Sequence, residues 1–228
     1  MVRVIVIGSG GRMGSATVQA VAKAEGLALV GTVGRGQPLA AVLEELRPQV
    51  AVDFTEPAVV EQHLETLIEH QVCPVVGTTG LSDEARERLT LASRERQLGG
   101  LIAPNFAIGA VLMMQLAAQA ARWLPDAEIV EAHHTAKKDA PSGTALLTRQ
   151  RLQAASAVER AIPIHSVRLP GYVASQQVIF GGAGERLTIA HDTIDRECFM
   201  PGVVLACRTV PSLSEIAFGL ETLLSRDD

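Results

Sequence analysis

The sequence predicts an α/β protein in two parts: a parallel sheet covered by helices, and an α+β domain with a mixed sheet. In the first part, short apolar runs alternate with segments of helical character, which is typical of a parallel sheet. A glycine cluster, Gly8 to Gly14, directly follows the first apolar run. After Asn105, three strand-like segments follow one another without helices between them, which favours mixed or antiparallel pairing. We therefore expect a first domain over 1–104 and a second over 105–199, with 200–228 packing back on the first.

The first domain is predicted to alternate strands with helices. Apolar and β-branched runs indicate strands at 2–7, 27–33, 50–54, 73–76 and 100–103. Helices are predicted between them at 15–24, 38–46, 58–70 and 83–96, the last capped by Ser82. Because ligands bind at the C-terminal ends of parallel strands, the loops after these strands are expected to carry functional residues.

The glycine spacing at the first turn between a strand and a helix predicts a dinucleotide site. Gly8, Gly11 and Gly14 recur at every third position, with Met13 at the last position of the stricter GxGxxG pattern. Glycines here let a diphosphate approach the backbone, and Gly14 lets the helix pack closely on the strand.

The end of the second strand bears on the choice of cofactor. An acidic residue commonly binds the adenosine ribose at this place, but this chain has Gly34-Arg35-Gly36. Arg35 can pair with a 2'-phosphate that a carboxylate would repel, and an ordinary solvated arginine is the alternative. The sequence thus allows NADPH or NADH.

The second domain is predicted to begin with a long alanine-rich helix at 108–123. A strand at 127–132 and a helix at 145–152 follow, and then strands at 164–169, 175–180 and 185–191. The segments 200–207 and 212–224 are both expected to be helical.

Residues 131–145, with the sequence Glu-Ala-His-His-Thr-Ala-Lys-Lys-Asp-Ala-Pro-Ser-Gly-Thr-Ala, contain the densest set of reactive side chains. Ser142 is the expected N-cap of the following helix, which places Gly143 and Thr144 in its first turn. Unpaired N–H groups and the helix dipole favour an anion there, next to two lysines and two histidines. The stretch therefore predicts an anion site with its own proton donor.

A metal site is an alternative interpretation of the same stretch. Glu131, His133, His134 and Asp139 are all possible ligands. Adjacent histidines in an extended segment point to opposite faces, however, and neither an HExxH pattern nor a cysteine cluster is present. We therefore expect no metal.

The composition excludes several classes of function. The net charge of −5 and the scarcity of aromatic residues, 3%, make nucleic acid an unfavourable partner. The three cysteines have no CxxC spacing, which is consistent with the reducing cytoplasm. The first apolar run is too short to span a membrane and is followed by glycines rather than a cleavage site, so we expect neither a membrane nor a targeting segment.

Together these features resemble the 4-hydroxy-tetrahydrodipicolinate reductase (dihydrodipicolinate reductase) family over nearly the whole chain. The most specific element is the pattern Glu-Ala-His-His-x-x-Lys-x-Asp-Ala-Pro-Ser-Gly-Thr-Ala at 131–145. Gly8 to Gly14, Asp53-Phe-Thr, Gly77-Thr-Thr-Gly, Pro104-Asn-Phe and Gly184-Glu-Arg-Leu resemble the other family blocks, in order.

The resemblance implies an NAD(P)H-dependent oxidoreductase of lysine and diaminopimelate biosynthesis, with a Rossmann domain and a substrate domain whose open sheet builds a homotetramer. His133 would donate the proton, with Lys137 as the partner of substrate and acid, and the small dicarboxylate substrate would be bound by His134, Gly143 and Thr144. The matching blocks imply a cofactor site lined by Gly8, Gly11, Arg12, Met13, Gly14, Phe54, Gly77, Thr78, Thr79, Pro104, Asn105 and Phe106, with Arg35 from the argument above.

Two features differ from the family pattern. The link between the second and third strands is short, and Ala174-Ser-Gln176 stands where many members have Gly-x-His, which leaves open whether that segment contacts the substrate. Three other functions predict different behaviour. A redox sensor would bind the dinucleotide without oxidising it, a metal hydrolase would lose activity with a chelator, and another NAD(P)-dependent dehydrogenase would act on a different small carboxylate.

Overall fold

The chain divides into two units in the computed structural model, which describes residues 1–78, 80–158 and 160–224. The first unit comprises Met1–Phe106 together with the residues from Phe199 onward, and the second comprises Ala107–Cys198. Each unit is built around its own sheet.

The first unit is a parallel six-stranded sheet with the strand order β10-β5-β4-β3-β1-β2. Every residue of the central strands β3 and β4 is buried, as is usual when helices cover both faces of a sheet. The strands are β1 (Val2–Ile7), β2 (Leu27–Val33), β3 (Val50–Asp53), β4 (Cys73–Val76), β5 (Gly100–Ile102) and β10 (Ile216–Phe218). The helices are α1 (Arg12–Lys23), α2 (Leu39–Leu46), α3 (Pro57–Glu69), α4 (Asp83–Glu95), α7 (Met200–Thr209) and α8 (Glu221–Leu224).

The turn between β1 and α1 is tight. Gly8 has a φ of +74°, a conformation that favours glycine, and a Cβ added at Gly14 would lie 2.1 Å from the carbonyl oxygen of Gly8. Helix α1 therefore begins against the end of the strand, at Arg12 rather than at residue 15.

The segment 212–224 was predicted to be helical, and this prediction was wrong. Ile216–Phe218 forms the strand β10, which pairs in parallel with β5. In this segment, only Glu221–Leu224 is α-helical, and Ser212 ends a short 3-10 helix. Burial in the sheet decides the conformation, because Ile216 is 2% exposed and its backbone N–H donates to the Ser93 hydroxyl at 3.0 Å. Three residues are too short a run for their hydrophobic periodicity to indicate a strand.

The second unit contains a four-stranded mixed sheet with the order β7-β6-β8-β9. β6 pairs in parallel with β7 and antiparallel with β8, and β8 pairs antiparallel with β9. Its elements are α5 (Ile108–Ala121), β6 (Asp126–His133), α6 (Gly143–Ala155), β7 (Ile164–Arg168), β8 (Ala174–Gly182) and β9 (Glu185–Thr193). The predicted fold class, a Rossmann-type parallel sheet plus an α+β domain with a mixed sheet, is thus confirmed.

Among the described residues, no helix is both long enough and apolar enough to cross a membrane.

Candidate active site

The end of strand β6 positions the side chains of the predicted anion site. Glu131 and His133 are two residues apart on this strand, so they project from the same face of the sheet. Strand β7 runs parallel to β6, and the register places Arg168 opposite His133. The sheet thereby brings a carboxylate, an imidazole and a guanidinium together.

Glu131 is the centre of this cluster, and its side chain is fully buried. Its Oε1 accepts from Arg168 Nη2 at 2.7 Å and from the backbone N–H of Ser142 at 3.2 Å. Its Oε2 accepts from Arg168 Nη1 at 2.9 Å and lies 2.6 Å from His133 Nδ1. Burial by itself raises the pKa of Glu131, but hydrogen bonds from Arg168, Ser166 and His133 outweigh it and lower the pKa to about 2. The carboxylate is therefore ionised at neutral pH and accepts these hydrogen bonds.

His133 has a side chain that is 16% exposed. Burial is the largest cause of a lowered pKa for this imidazole, the hydrogen bond and negative charge of Glu131 oppose it, and the positive charges of Lys137 and Arg168 lower the pKa further. His133 is thus held in place by Glu131, and its lowered pKa lets the imidazole gain and lose a proton.

The loop after β6 carries the two lysines in different surroundings. Lys137 Nζ lies 2.9 and 2.8 Å from the two carboxylate oxygens of Asp139, and its side chain is 21% exposed. The hydrogen bond from Lys137 is the main cause of a lowered pKa for Asp139. Lys138 is exposed. Arg168 Nη2 also donates to the backbone oxygen of Asp139 at 2.8 Å, which fixes the loop to β7.

Helix α6 starts where the sequence predicts. The hydroxyl of Ser142 accepts from the backbone N–H of Ala145 at 3.2 Å, and Ser142 is 2% exposed. Gly143 and Thr144 form the first turn, in which helix N–H groups have no partner within the helix. Because the N–H of Ser142 donates to Glu131, this helix start is tied directly to the strand that carries His133.

Ala174–Gln176, where the sequence departs from the family pattern, begins strand β8. Gln176 is buried, and its Nε2 donates to the Thr148 hydroxyl at 2.7 Å, which in turn donates to the carbonyl of Thr144 at 2.8 Å. This segment is therefore joined by hydrogen bonds to the first turns of α6.

The first unit contains a cleft of about 580 Å³, which is lined by some of the predicted dinucleotide residues. Of these residues, the cleft is lined by Gly8, Gly11, Arg35 and Phe54. His63 also lines it, and its Nδ1 lies 2.7 Å from Oδ2 of the buried Asp53.

The other predicted cofactor residues that the structure describes follow the C-terminal ends of β1, β4 and β5 in the same sheet. Arg12, Met13 and Gly14 open α1, and Pro104, Asn105 and Phe106 follow β5. Gly77 follows β4, where an added Cβ would lie 2.1 Å from the Phe54 ring, and the Thr78 hydroxyl donates to the Thr55 carbonyl at 2.6 Å. The Phe54 and Phe106 rings meet edge to face at 5.7 Å. Thr79 lies outside the described residues.

Sequence reasoning missed the roles of two residues in the second unit. Glu131 was considered only as a metal ligand, although its position two residues before His133 on a strand could have indicated a shared face. Arg168 carried no local signal, because its contact with Glu131 depends on the pairing of β6 with β7. Among the described residues, no group of three or more histidine, cysteine or acidic side chains is placed to hold a metal ion.

Comparison with known proteins finds matches over nearly the whole chain. Two family models match, "Dihydrodipicolinate reductase, N-terminus" over residues 2–106 and "Dihydrodipicolinate reductase, C-terminus" over residues 109–224. A protein from Enterococcus faecalis named 4-hydroxy-tetrahydrodipicolinate reductase is 45% identical, and the alignment covers 98% of this chain and 100% of that protein. A Coxiella burnetii protein of the same name is 43% identical, with 98% and 99% covered.

A solved structure shares the fold. It is the dipicolinate-bound dihydrodipicolinate reductase from Paenisporosarcina sp. TG-14, with a TM-score of 0.90, 36% identity, and coverage of 97% of this chain and 99% of that one. By its sequence, its two-unit fold and these relatives, the chain belongs to the dihydrodipicolinate reductase family.

Proposed function

We propose that this chain reduces 4-hydroxy-tetrahydrodipicolinate to tetrahydrodipicolinate with NADPH or NADH, in lysine and diaminopimelate biosynthesis. The observation that carries the proposal is the cluster in the second unit, where His133, Lys137 and the start of α6 are joined through hydrogen bonds to Glu131, Arg168 and Asp139. An acid, a cation and a helix N-terminus in one place suit a substrate that is a dianion and must accept a proton. Both named relatives are called 4-hydroxy-tetrahydrodipicolinate reductase.

The first unit fits a dinucleotide. The tight turn at Gly8 leaves the space around Gly10 open, since a Cβ added there would meet nothing within 4 Å. A diphosphate can therefore approach the backbone at the start of α1, where the helix dipole favours an anion. The nicotinamide supplies a hydride when bound.

NADPH should be accepted at least as well as NADH. Arg35 is 95% exposed at the rim of the cleft, and no acidic residue stands at 33–36 to repel a 2'-phosphate. The carboxylate of Glu56 lies 3.8 Å from Arg35 and is 78% exposed, and so weak a surface pair contributes little. Arg35 is accordingly available to a phosphate.

In the second unit, after the 4-hydroxyl group of the substrate has left as water, His133 would hand a proton to the unsaturated ring that takes up the hydride. Lys137 would bind a substrate carboxylate, and its positive charge would lower the pKa of His133. One carboxylate would bind the backbone N–H groups of Gly143 and Thr144 and the Thr144 hydroxyl, and the other would lie near Lys137 and His134. Because these residues lie in the loop and helix start that Glu131 and Arg168 fasten to the sheet, their positions are set before the substrate arrives.

The proposal includes assembly as a homotetramer through the sheet of the second unit, in the cytoplasm. Gln177 and Thr188 are exposed, and both project from the sheet face that also carries Ile179, opposite the face of the buried Val178 and Phe180. Sedimentation of the purified protein tests the assembly, and a monomer at micromolar concentration would contradict it.

The reaction is tested by the loss of reduced-nicotinamide absorbance when the protein is mixed with the freshly generated product of dihydrodipicolinate synthase. His133→Gln should lower kcat by about 10²- to 10⁴-fold and leave the Kd for NADPH nearly unchanged. His165→Gln is the matched control, because His165 lies on the sheet face opposite that of His133. His165→Gln protein that sediments like wild type should keep its turnover.

The outcomes separate this function from its alternatives. Binding of NADPH without oxidation would indicate a sensor, and inactivation by a chelator would indicate a metal hydrolase. Wild-type turnover in His133→Gln would remove His133 from the mechanism.

A further inference from the structure

We propose that Glu131, held by Arg168, is the positioning residue that fixes the tautomer of His133, so that the proton is delivered from Nε2 of the imidazolium. This inference rests on the proposed function for the identity of His133 as the acid. It adds the two residues that decide which ring nitrogen reacts and in which charge state.

The carboxylate of Glu131 is fixed on both oxygens. Each oxygen accepts one guanidinium N–H of Arg168, in the two-pronged geometry that gives strong and directional pairing. The other partners of the carboxylate are Ser142 N–H, His133 Nδ1 and the Ser166 side chain. A fully buried carboxylate that is so held cannot turn to follow the imidazole, so the imidazole must adapt to the carboxylate.

The tautomer follows from this arrangement. An ionised carboxylate accepts hydrogen bonds only, so the ring nitrogen 2.6 Å away, Nδ1, must carry a hydrogen. Neutral His133 therefore has a bare Nε2 and no proton to give there. The form that donates is the imidazolium, which loses its Nε2 proton to the substrate and keeps Nδ1–H bonded to Glu131.

The charges around His133 act in opposite directions. Glu131 on the same strand stabilises the imidazolium, whereas Arg168 on β7 and Lys137 in the loop before α6 destabilise it. Lys137 is in turn neutralised in part by Asp139. Removing Glu131 should therefore lower the pKa of His133, and removing Arg168 should raise it.

Two variants test this pair by the pH dependence of kcat/KM, whose limb at high pH reports loss of the imidazolium in the free enzyme. In Glu131→Gln the limb should move to lower pH and kcat should fall by about 10- to 10⁴-fold, the range for carboxylates that orient a functional histidine. In Arg168→Met the limb should move to higher pH. If the ion pair is purely structural, both variants should lose folded protein, and the high-pH limbs of the two variants should not move in opposite directions.

The chain offers a matched control. Glu128 on the same strand bonds His165 at 2.8 Å, but both side chains are more than half exposed. Glu128→Gln removes a glutamate–histidine contact of similar length on the opposite sheet face, which is also the face proposed for assembly. In Glu128→Gln protein that sediments like wild type, the pH profile should be unchanged. Movement of the limb in Glu128→Gln equal to that in Glu131→Gln would overturn the proposal.

A measurement on the unaltered protein does not depend on whether the variants fold. With ¹⁵N-labelled histidine, the signals of His133 are identified by their loss in His133→Gln. Above its pKa, His133 should show a protonated Nδ1 and a bare Nε2. The opposite tautomer would refute the positioning role, even if the protein proves to be a reductase. If the predicted tautomer is found but the protein does not oxidise NADPH, the positioning of His133 is supported and the proposed function is wrong.

Discussion

The N-cap of helix α6 allows a substrate-site feature to be separated from a structural one, because the chain has a second cap of nearly the same geometry. Ser142 accepts from the N–H of Ala145 at 3.2 Å, and Ser82 accepts from the N–H of Ala85 at 3.1 Å at the start of α4. Replacing either serine by alanine removes one cap hydrogen bond. Only Ser142 stands at the predicted carboxylate site.

The two substitutions should differ in cost. Loss of a serine cap typically costs about 0.5–2 kcal/mol. Ser82 is exposed, so water can replace its hydroxyl, and Ser82→Ala should cost about 0.5–1 kcal/mol. Ser142 is 2% exposed, so the N–H of Ala145 would be left without water, and Ser142→Ala should cost about 1–2 kcal/mol. Calorimetry should show a decrease in Tm of about 2–4 °C per kcal/mol if the whole chain unfolds at once, and about twice that if the second unit unfolds alone.

Ligand binding provides the decisive comparison. Without its cap, the first turn of α6 is less ordered, and binding of a carboxylate to Gly143 and Thr144 must restore that order. If the full 1–2 kcal/mol is transferred to binding, the Kd rises about 5- to 30-fold. Titration with pyridine-2,6-dicarboxylate in the presence of NADH measures this, and Ser82→Ala should bind like wild type. An unchanged Kd in Ser142→Ala, or an equal rise in Ser82→Ala, would refute the assignment of the carboxylate to the helix start.

Three further predictions concern charged groups. Lys137→Ala should raise the Kd for pyridine-2,6-dicarboxylate about tenfold or more, because a charge-assisted contact is lost. Lys138 is exposed, and Lys138→Ala should change this Kd less than about twofold. A larger effect at Lys138 would contradict the placement of a carboxylate near Lys137. Arg35→Ala should raise the KM for NADPH and leave that for NADH unchanged in steady-state assays, and equal effects would exclude contact with the 2'-phosphate. The depressed pKa of Glu131 contributes stability that is present above its ordinary value of 4.5 and is lost as pH falls toward about 2. Thermal unfolding between these pH values should show this loss in wild type and a smaller one in Glu131→Gln.

The parts of the site that depend on local chemistry could be predicted from the sequence. The start of α6 follows from the capping preference of Ser142, and the turn at Gly8 follows from glycines directly after a buried strand. The helix start and the turn are each determined by residues that are close together in the sequence. Helix α1 begins three residues before the predicted start at residue 15, because Gly14 lies within the helix and packs against Gly8.

The contacts that organise the proposed acid could not be predicted in this way. Arg168 reaches Glu131 across 37 positions of sequence, and the contact exists only because β6 and β7 pair in parallel with His133 opposite Arg168. β10 was missed for the same reason, since its strand conformation depends on β5 rather than on its own sequence. In both cases strand pairing over a long sequence distance outweighs local propensity.

The position of β10 at the edge of the first sheet has a consequence for synthesis on the ribosome. The hydrogen bond between Ser93 and Ile216 joins residues 123 positions apart, and the whole second unit is made between them. Until Ile216–Phe218 emerges, β5 presents an open edge that another nascent chain can pair with. If translation terminates within the second unit, the first unit is therefore released with the edge of β5 exposed and is prone to aggregate. Once β10 has been made, it pairs with β5 and covers that edge.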